Sequence, residues 1–140
     1  MLGDQIKKLA VAWANAYDHP GGPAEDEWPV VFEVIDLSGS QPETLWQFVL
    51  DVLALQPSEN VLGMLAAGPL EDLIQDHGAA FIDRVGAEAE SNQSFAALLP
   101  KVWVPAASDP ITHRFIQLGC DQVGPPSNNS FKPKPLRGSA

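Results

Sequence analysis

Residues 41–55 of the chain read QPETLWQFVLDVLAL, and apolar side chains recur there every three or four positions. This spacing is typical of an α-helix that buries one of its faces. Here the large apolar side chains cover more than one face: Leu45, Trp46, Phe48, Val49, Val52 and Leu53. We therefore expect a central helix packed on two sides. Ser40 and Glu43 have the spacing of a capping box at its start.

Two more helices are predicted before this one. Asp4 is placed to cap a first helix, whose apolar positions recur as far as Tyr17. The two prolines and two glycines within 19–23 then end it. A second helix follows, and its spacing predicts a core-facing stripe made of Trp28, Val31, Phe32 and Ile35.

Glycines and prolines divide the rest of the chain into shorter helices. A fourth helix begins at Ser58, and Gly68 with Pro69 is expected to end it and to begin a fifth. Gly78 is placed to end that fifth helix in a left-handed conformation. Helical spacing resumes at Phe81 in a sixth helix, and a brief seventh helix precedes Pro100.

A last helix is predicted to begin at Ser108 or Asp109, each placed to cap a helix that has Pro110 in its first turn. The stretches 30–34 and 101–104 are rich enough in β-branched residues for a short strand to be an alternative.

The pattern as a whole predicts an all-α fold. We expect a compact bundle of about six to eight short helices, for which stacked helical hairpins are one arrangement. An acidic helical domain is predicted over 1–123. The remainder, 124–140, is rich in Pro, Ser and Asn and is expected to be a disordered basic tail.

The charges are distributed unevenly along the chain. The net charge is −10, but eighteen acidic and five basic side chains in 1–124 give that part a charge of −13. The last sixteen residues carry three basic side chains and no acidic one. A body this negative repels phosphates, so direct binding of nucleic acid is not expected. A protein partner with a basic surface is expected instead.

No membrane association is predicted. The densest apolar stretch, 45–55, is interrupted by Gln47 and Asp51 and is far shorter than the ~20 residues that a membrane helix requires. The first eighteen residues are amphipathic rather than continuously apolar, so they do not resemble a signal peptide, and a cytoplasmic location is predicted. Cys120 is the only cysteine, which excludes an internal disulfide.

The densest polar cluster lies within 68–78 and contains Glu71, Asp72, Asp76 and His77. Two aspartates one helical turn apart, followed by an imidazole, could hold a divalent cation or divide general acid and base roles. A structural interpretation accounts for the same residues. Glu71 and Asp72 would interact with the positive end of a helix dipole, and His77 would be partly buried and hydrogen bonded. We favour the structural interpretation and predict no cofactor.

The same segment, continued by Phe81, Ile82, Asp83 and Arg84, resembles an uncharacterised family of small bacterial helical proteins. The family signature is an apolar helix, then Gly-Pro-Leu-Glu-Asp-Leu, then His-Gly and an Ile-Asp-Arg-like helix. A short Phe-x-x-x-Leu and a Trp follow, here Phe95, Leu98 or Leu99, and Trp103. The resemblance covers about 45–105. It implies a bacterial origin and a helical fold, and it transfers no catalytic residue.

The leading hypothesis is a non-enzymatic module that binds a protein with a basic surface, as an inhibitor, immunity factor or accessory subunit. One alternative is an acidic nucleic-acid mimic that blocks a DNA-binding protein. Another is a metal-assisted hydrolase centred on the cluster in 68–78. The candidate binding residues are Glu71, Asp72, Asp76, His77, Glu25, Asp26 and Glu27.

Overall fold

The computed structural model describes residues 2–104 and 109–122 and confirms an all-α fold. The described residues form seven α-helices, in agreement with the predicted number: α1 (Gly3–Asp18), α2 (Trp28–Ser40), α3 (Pro42–Ala54), α4 (Glu59–Leu65), α5 (Glu71–Ser91), α6 (Gln93–Ala96) and α7 (Pro110–Leu118). The predicted tail, 124–140, lies outside the described residues. Among the described helices, none is long and apolar enough to cross a membrane.

Shorter elements connect these helices. Glu25–Glu27 and Leu99–Lys101 are 3-10 turns, and Ala66–Leu70 is a π-helical turn. Two strands of two residues each, β1 (Trp103–Val104) and β2 (Asp121–Gln122), pair in parallel. The strand alternative is thus confirmed in 101–104, whereas the stretch 30–34 is helical and belongs to α2.

The prediction that α3 is central is confirmed. It contacts α1, α2, α4, α5 and α6. On the α1 side, the rings of Phe48 and Trp13 meet edge to face with centroids 5.5 Å apart. On the opposite side, Trp46 lies 5.8 Å from Phe81 and 5.6 Å from Phe95. Because both sides of α3 are packed, this helix organises the hydrophobic core.

The start of α1 differs from the prediction. Asp4 does not cap the helix but lies in its first turn, after Leu2 in the N-cap position. The side-chain oxygen of Gln5 accepts a hydrogen bond from the Leu2 amide at 2.8 Å. The predicted break after α1 is confirmed at 19–23, where Gly22 has a φ of +83° that an L side chain rarely adopts.

The predicted capping box between Ser40 and Glu43 is wrong. Ser40 is the last residue of α2, and its hydroxyl donates to the Asp36 carbonyl at 2.9 Å. Gln41 alone separates the two helices, so α3 begins directly at Pro42. Proline is tolerated there because the first helical amide needs no partner within the helix.

The prediction that Gly68 and Pro69 separate two helices is also wrong. The helical run continues through 59–91, and the π turn accommodates the proline. Pro69 has no amide hydrogen to donate, and the wider turn lets the Glu71 amide donate to the carbonyl of Ala66, five residues back.

Gly78 does not end a helix either, because α5 continues to Ser91. The irregularity falls one residue earlier, where His77 has a φ of −134° and a ψ of 23°. Gly78 instead allows close packing of α7, since an added Cβ would lie 3.0 Å from Cε2 of Phe115. The glycine is explained by a contact with a distant helix and not by a left-handed backbone.

Helix starts elsewhere agree with the sequence. The hydroxyl of Ser58 caps α4. Asp109 caps α7, since its carboxylate accepts from the amides of Ile111 at 2.7 Å and Thr112 at 3.2 Å. Ser108, the alternative start of this helix, lies outside the described residues.

Candidate functional site

Glu71, the first residue of the polar cluster, points into the protein. It is only 5% exposed, and its carboxylate accepts a hydrogen bond from the Trp103 amide at 2.8 Å. The predicted interaction with a free helix N-terminus is wrong for this residue, because its own amide already donates to Ala66. Glu71 therefore ties β1 to α5 from within the core.

Asp76 and His77 both contact the buried residue Ser38 of α2. The Ser38 hydroxyl donates to Asp76 at 2.8 Å, and His77 Nε2 lies 2.7 Å from the Ser38 carbonyl oxygen. A ring nitrogen facing a carbonyl oxygen must carry the proton, so Nε2 is the donor. The prediction of a partly buried, hydrogen-bonded histidine is confirmed, and these bonds attach the end of α2 to α5.

Asp72 is half-buried one turn before Asp76. Burial raises the pKa of its carboxyl, and the nearby charge of Asp76 raises it further. Across 2–104 and 109–122, no group of three or more His, Cys, Asp or Glu side chains is arranged to hold a metal ion. The four residues of the cluster do not converge on one point: Glu71 faces the core, whereas Asp76 and His77 face α2.

The second set of candidate acids precedes α2 in a 3-10 turn, Glu25–Glu27. Glu27 is engaged locally, since its carboxylate accepts from the Ala24 amide at 2.8 Å and lies 3.2 Å from the His19 ring. Glu25 and Asp26 are exposed. Glu25–Glu27 thus precede the start of α2, whereas Asp76 and His77 contact Ser38 near its end, roughly 16 Å away along the helix axis.

The surface of α2 between these acids is apolar, which the sequence did not predict. Of the expected core stripe only Val31 is buried, whereas Trp28 is 41% exposed, Phe32 58% and Ile35 53%. The helix buries a different face, made of Val31, Val34, Leu37 and Ser38. We name the outer face the α2 stripe and define it as Trp28, Phe32, Ile35 and Gly39.

Exposed acids border the α2 stripe on its two sides and at its start. Asp36 lies one turn after Phe32 and beside Ile35, and Glu33 lies on the same side. On the other side, Asp76 is bonded to Ser38, one turn after Ile35. We name these five residues the acidic rim: Glu25, Asp26, Glu33, Asp36 and Asp76.

Within the residues that the structure describes, no Lys or Arg forms an ion pair with the acidic rim, although Lys8 of α1 lines a cleft together with Glu33. Residues 9–83 contain thirteen Asp and Glu and no Lys or Arg. Arg84, Lys101 and Arg114 pair with other acids, namely Glu43, Glu59 and Asp83. Among the described residues, the α2 stripe is therefore bordered by more acidic than basic side chains.

A cleft of about 540 Å³ lies between α5 and α7. His77, Asp109, Thr112 and Phe115 are among its lining residues. Nε2 of His77 is already bonded to the Ser38 carbonyl, and Oδ1 of Asp109 is bonded to the first amides of α7. Two of the polar atoms that line the cleft thus serve to hold α2 and α7 in place.

Most of the chain matches a known protein family. A family of unknown function, DUF6869, matches residues 16–122. The chain belongs to the DUF6869 family. The predicted membership of an uncharacterised family is thus confirmed, over a longer range than the 45–105 expected, whereas the family signature and the bacterial origin stay predictions. The DUF6869 match includes α2 with its stripe and the whole acidic rim. Neither the curated proteins nor the solved structures include a match to this chain.

The sequence identified Glu25, Asp26 and Asp76 of the acidic rim as candidates but did not reveal the exposed α2 stripe between them. One feature of the sequence could have indicated this exposure. Helix α2 has large apolar residues on two faces, which is more than contact with one side of a domain can bury.

Proposed function

We propose that this protein is a non-enzymatic binding module that acts on a protein with a basic surface, as an inhibitor, immunity factor or accessory subunit. The observation that carries the proposal is the exposure of Trp28, Phe32 and Ile35 on one helix face that exposed acids border on its two sides and at its start. Monomeric proteins rarely leave such a continuous apolar strip in water, and strips with polar borders are typical of interaction sites.

The apolar side chains would supply most of the affinity. Complete burial of a large apolar side chain from full exposure contributes roughly 1.5–3 kcal/mol. These three side chains are about half exposed, so docking recovers about half of that contribution from each. Aromatic residues such as Trp28 are also common among the positions that dominate binding energy. The acidic rim would mainly accelerate association with a basic partner and exclude acidic ones.

Affinity capture from a native lysate tests the proposal with three forms of the full chain. The wild type is compared with the double variant Phe32→Ser/Ile35→Ser and with Val11→Ser, a matched control at an apolar position 44% exposed on α1. We expect the wild type and the control to retain a stoichiometric partner that salt releases, and the double variant to lose it. Equal capture by all three forms, or binding indifferent to ionic strength, contradicts the proposal.

The nucleic-acid mimic remains the alternative, favoured by the absence of Lys and Arg from 9–83. A mimic of nucleic acid would bind through its charges alone, so charge variants should affect its binding and apolar variants should not. Reversing Glu25 and Asp26 to Lys would abolish binding of a DNA-binding protein, while Phe32→Ser/Ile35→Ser would not affect it. The hydrolase hypothesis is tested separately by calorimetric titration with divalent ions.

A further inference from the structure

The positions of the α2 stripe follow a regular spacing. Trp28, Phe32, Ile35 and Gly39 are separated by four, three and four residues. This alternation keeps side chains on a straight line along a helix and is the seam spacing of two helices that pack side by side. The seam extends about 16 Å, or three turns. A flat surface or an extended peptide would not require such an alignment.

We propose that the α2 stripe docks a basic amphipathic α-helix of the partner, which lies along α2. The inference rests on the proposed function and specifies the element that the partner supplies. Apolar residues of the incoming helix pack between Trp28, Phe32 and Ile35. Gly39 presents no side chain and has no heavy atom within 4 Å of where a Cβ would be, so a large side chain of the partner fits at that end.

The acidic rim specifies the charges of the incoming helix. Asp36 and Glu33 border one side of the seam, and Asp76 borders the other. Positions that flank the seam of paired helices select partners by charge. The docked helix therefore carries Lys or Arg on both edges of its apolar face. Such a helix gains long-range attraction before contact and loses it as salt is added.

A second copy of this chain does not satisfy these requirements. Two α2 helices packed against each other would bring one acidic rim against the other, with no Lys or Arg from 9–83 between them. Like charges placed opposite each other are unfavourable. The segment 131–137 of the same chain is basic and contains Phe131 and Leu136. Its prolines at 133 and 135 are incompatible with an uninterrupted helix of three turns.

The experiment titrates the full chain with a synthetic peptide of about five helical turns. The peptide has Leu at the seam positions and Lys at the flanking ones. Trp28 is the reporter, because it is exposed in the free protein, whereas Trp13 is buried and Trp46 and Trp103 are partly buried. We expect its fluorescence to shift to the blue on binding, with a gain of helical circular dichroism. The variant Trp28→Phe should lose the fluorescence shift.

Two comparisons separate a specific seam from general attraction between opposite charges. Phe32→Ser/Ile35→Ser should weaken peptide binding at least tenfold, while Val11→Ser should leave it unchanged. A scrambled peptide with the same composition, and one interrupted by proline, should each bind at least tenfold more weakly than the helical peptide. Equal binding of the scrambled peptide, or no effect of the double variant, overturns the inference.

Other occupants give different results. A dimer of the wild type in sedimentation that Phe32→Ser/Ile35→Ser dissociates overturns the inference in favour of a second copy. If Lys132→Glu with Lys134→Glu shifts Trp28 emission to the red without any peptide, the occupant is the chain's own segment. If a native partner requires Phe32 and Ile35 but no helical peptide binds, this inference fails and the proposed function stands.

Discussion

Helices α2 and α3 are neighbours of equal length, thirteen residues each, and both are rich in apolar side chains. Phe48 of α3 is completely buried, whereas Phe32 of α2 is more than half exposed. The difference arises from their surroundings: α3 is packed from two sides, while α2 lies against the body with one face only. Periodic apolar residues therefore specify a helix, but the neighbours of that helix determine which of its apolar faces is buried.

Polar contacts help to fix the orientation of α2. Its inner face ends in Ser38, which is 6% exposed and bonded to both Asp76 and His77 of α5. Turning α2 to bury Phe32 and Ile35 would break these bonds and expose Val34 and Leu37. The buried face thus combines apolar packing with a polar attachment, and the α2 stripe is left outside.

The largest expected difference in stability is between the alanine variants of Phe48 and Phe32. Phe48→Ala removes a buried ring and should lower the free energy of unfolding by about 3–5 kcal/mol. Phe32→Ala should change it by no more than about 0.5 kcal/mol, because the ring is largely in water already. Urea unfolding followed by circular dichroism measures both. A large loss in Phe32→Ala would mean that α2 does not expose this face.

Two adjacent residues of α2 provide a finer test. Val34 is 2% exposed and its neighbour Ile35 is 53% exposed. Val34→Ala should lower the free energy of unfolding by about 2 kcal/mol, from the lost methyl groups and the cavity that they leave. Ile35→Ala removes more carbon and yet should cost no more than about 0.5 kcal/mol. The same urea titration measures both losses. A larger loss in Ile35→Ala than in Val34→Ala would mean that α2 buries the face assigned here to solvent.

The polar attachment is tested by two serines at the end of α2. Ser38→Ala removes the bond to Asp76 and should cost about 1 kcal/mol, or roughly 3–6 °C in Tm. Ser40→Ala is the matched control, because its hydroxyl bonds an exposed carbonyl and its loss should be within about 0.5 kcal/mol. Thermal melts of both variants measure these changes in Tm. Equal Tm values would show that the Ser38 bond does not hold α2 against α5.

The smallest expected effect is the pH dependence of stability that arises from the Asp72 carboxyl of α5. The pKa of Asp72 in the folded state is raised above its ordinary 3.8 by burial and by Asp76. The folded state therefore binds this proton more tightly than the unfolded state does. Ionised Asp72 costs stability at pH above the raised pKa, and the cost disappears as the pH falls through that pKa towards 3.8.

Asp72→Asn removes that cost. The variant should be slightly more stable than the wild type at neutral pH, and its advantage should shrink on acidification through this window. Paired thermal melts at several pH values measure the difference. A variant less stable at neutral pH, or an advantage that grows on acidification, would contradict the assignment.

Features that depend on local chemistry were predicted only in part. The caps at Ser58 and Asp109 and the break at 19–23 were correct. The Asp4 cap and the capping box of Ser40 and Glu43 are equally local and were wrong, because the N-cap positions are Leu2 and Gln41 instead. Gly78 was interpreted wrongly because its neighbour is Phe115, a contact between distant parts of the chain. The prediction that Pro69 separates two helices failed because the helix widens into a π turn, in which the Glu71 amide donates to the Ala66 carbonyl.

The candidate site shows the same limit. The sequence marked Glu71 as a polar residue of interest, but its role depends on the amide of Trp103, 32 residues later. Asp76 and Ser38 are 38 residues apart, so their bond was equally hidden. Residue types were therefore informative, whereas which side chains meet and which apolar face remains outside required the tertiary arrangement.

The run from α4 through α5 has a further geometric consequence. A regular helix of its 33 residues, 59–91, would be about 50 Å long. A globule of about 120 residues measures only about 35 Å across. The π turn at Pro69 and the irregular backbone at His77 divide this rod, and its longest regular piece, 78–91, measures only about 21 Å. Both interruptions thus keep the longest rod of the chain within the dimensions of the globule.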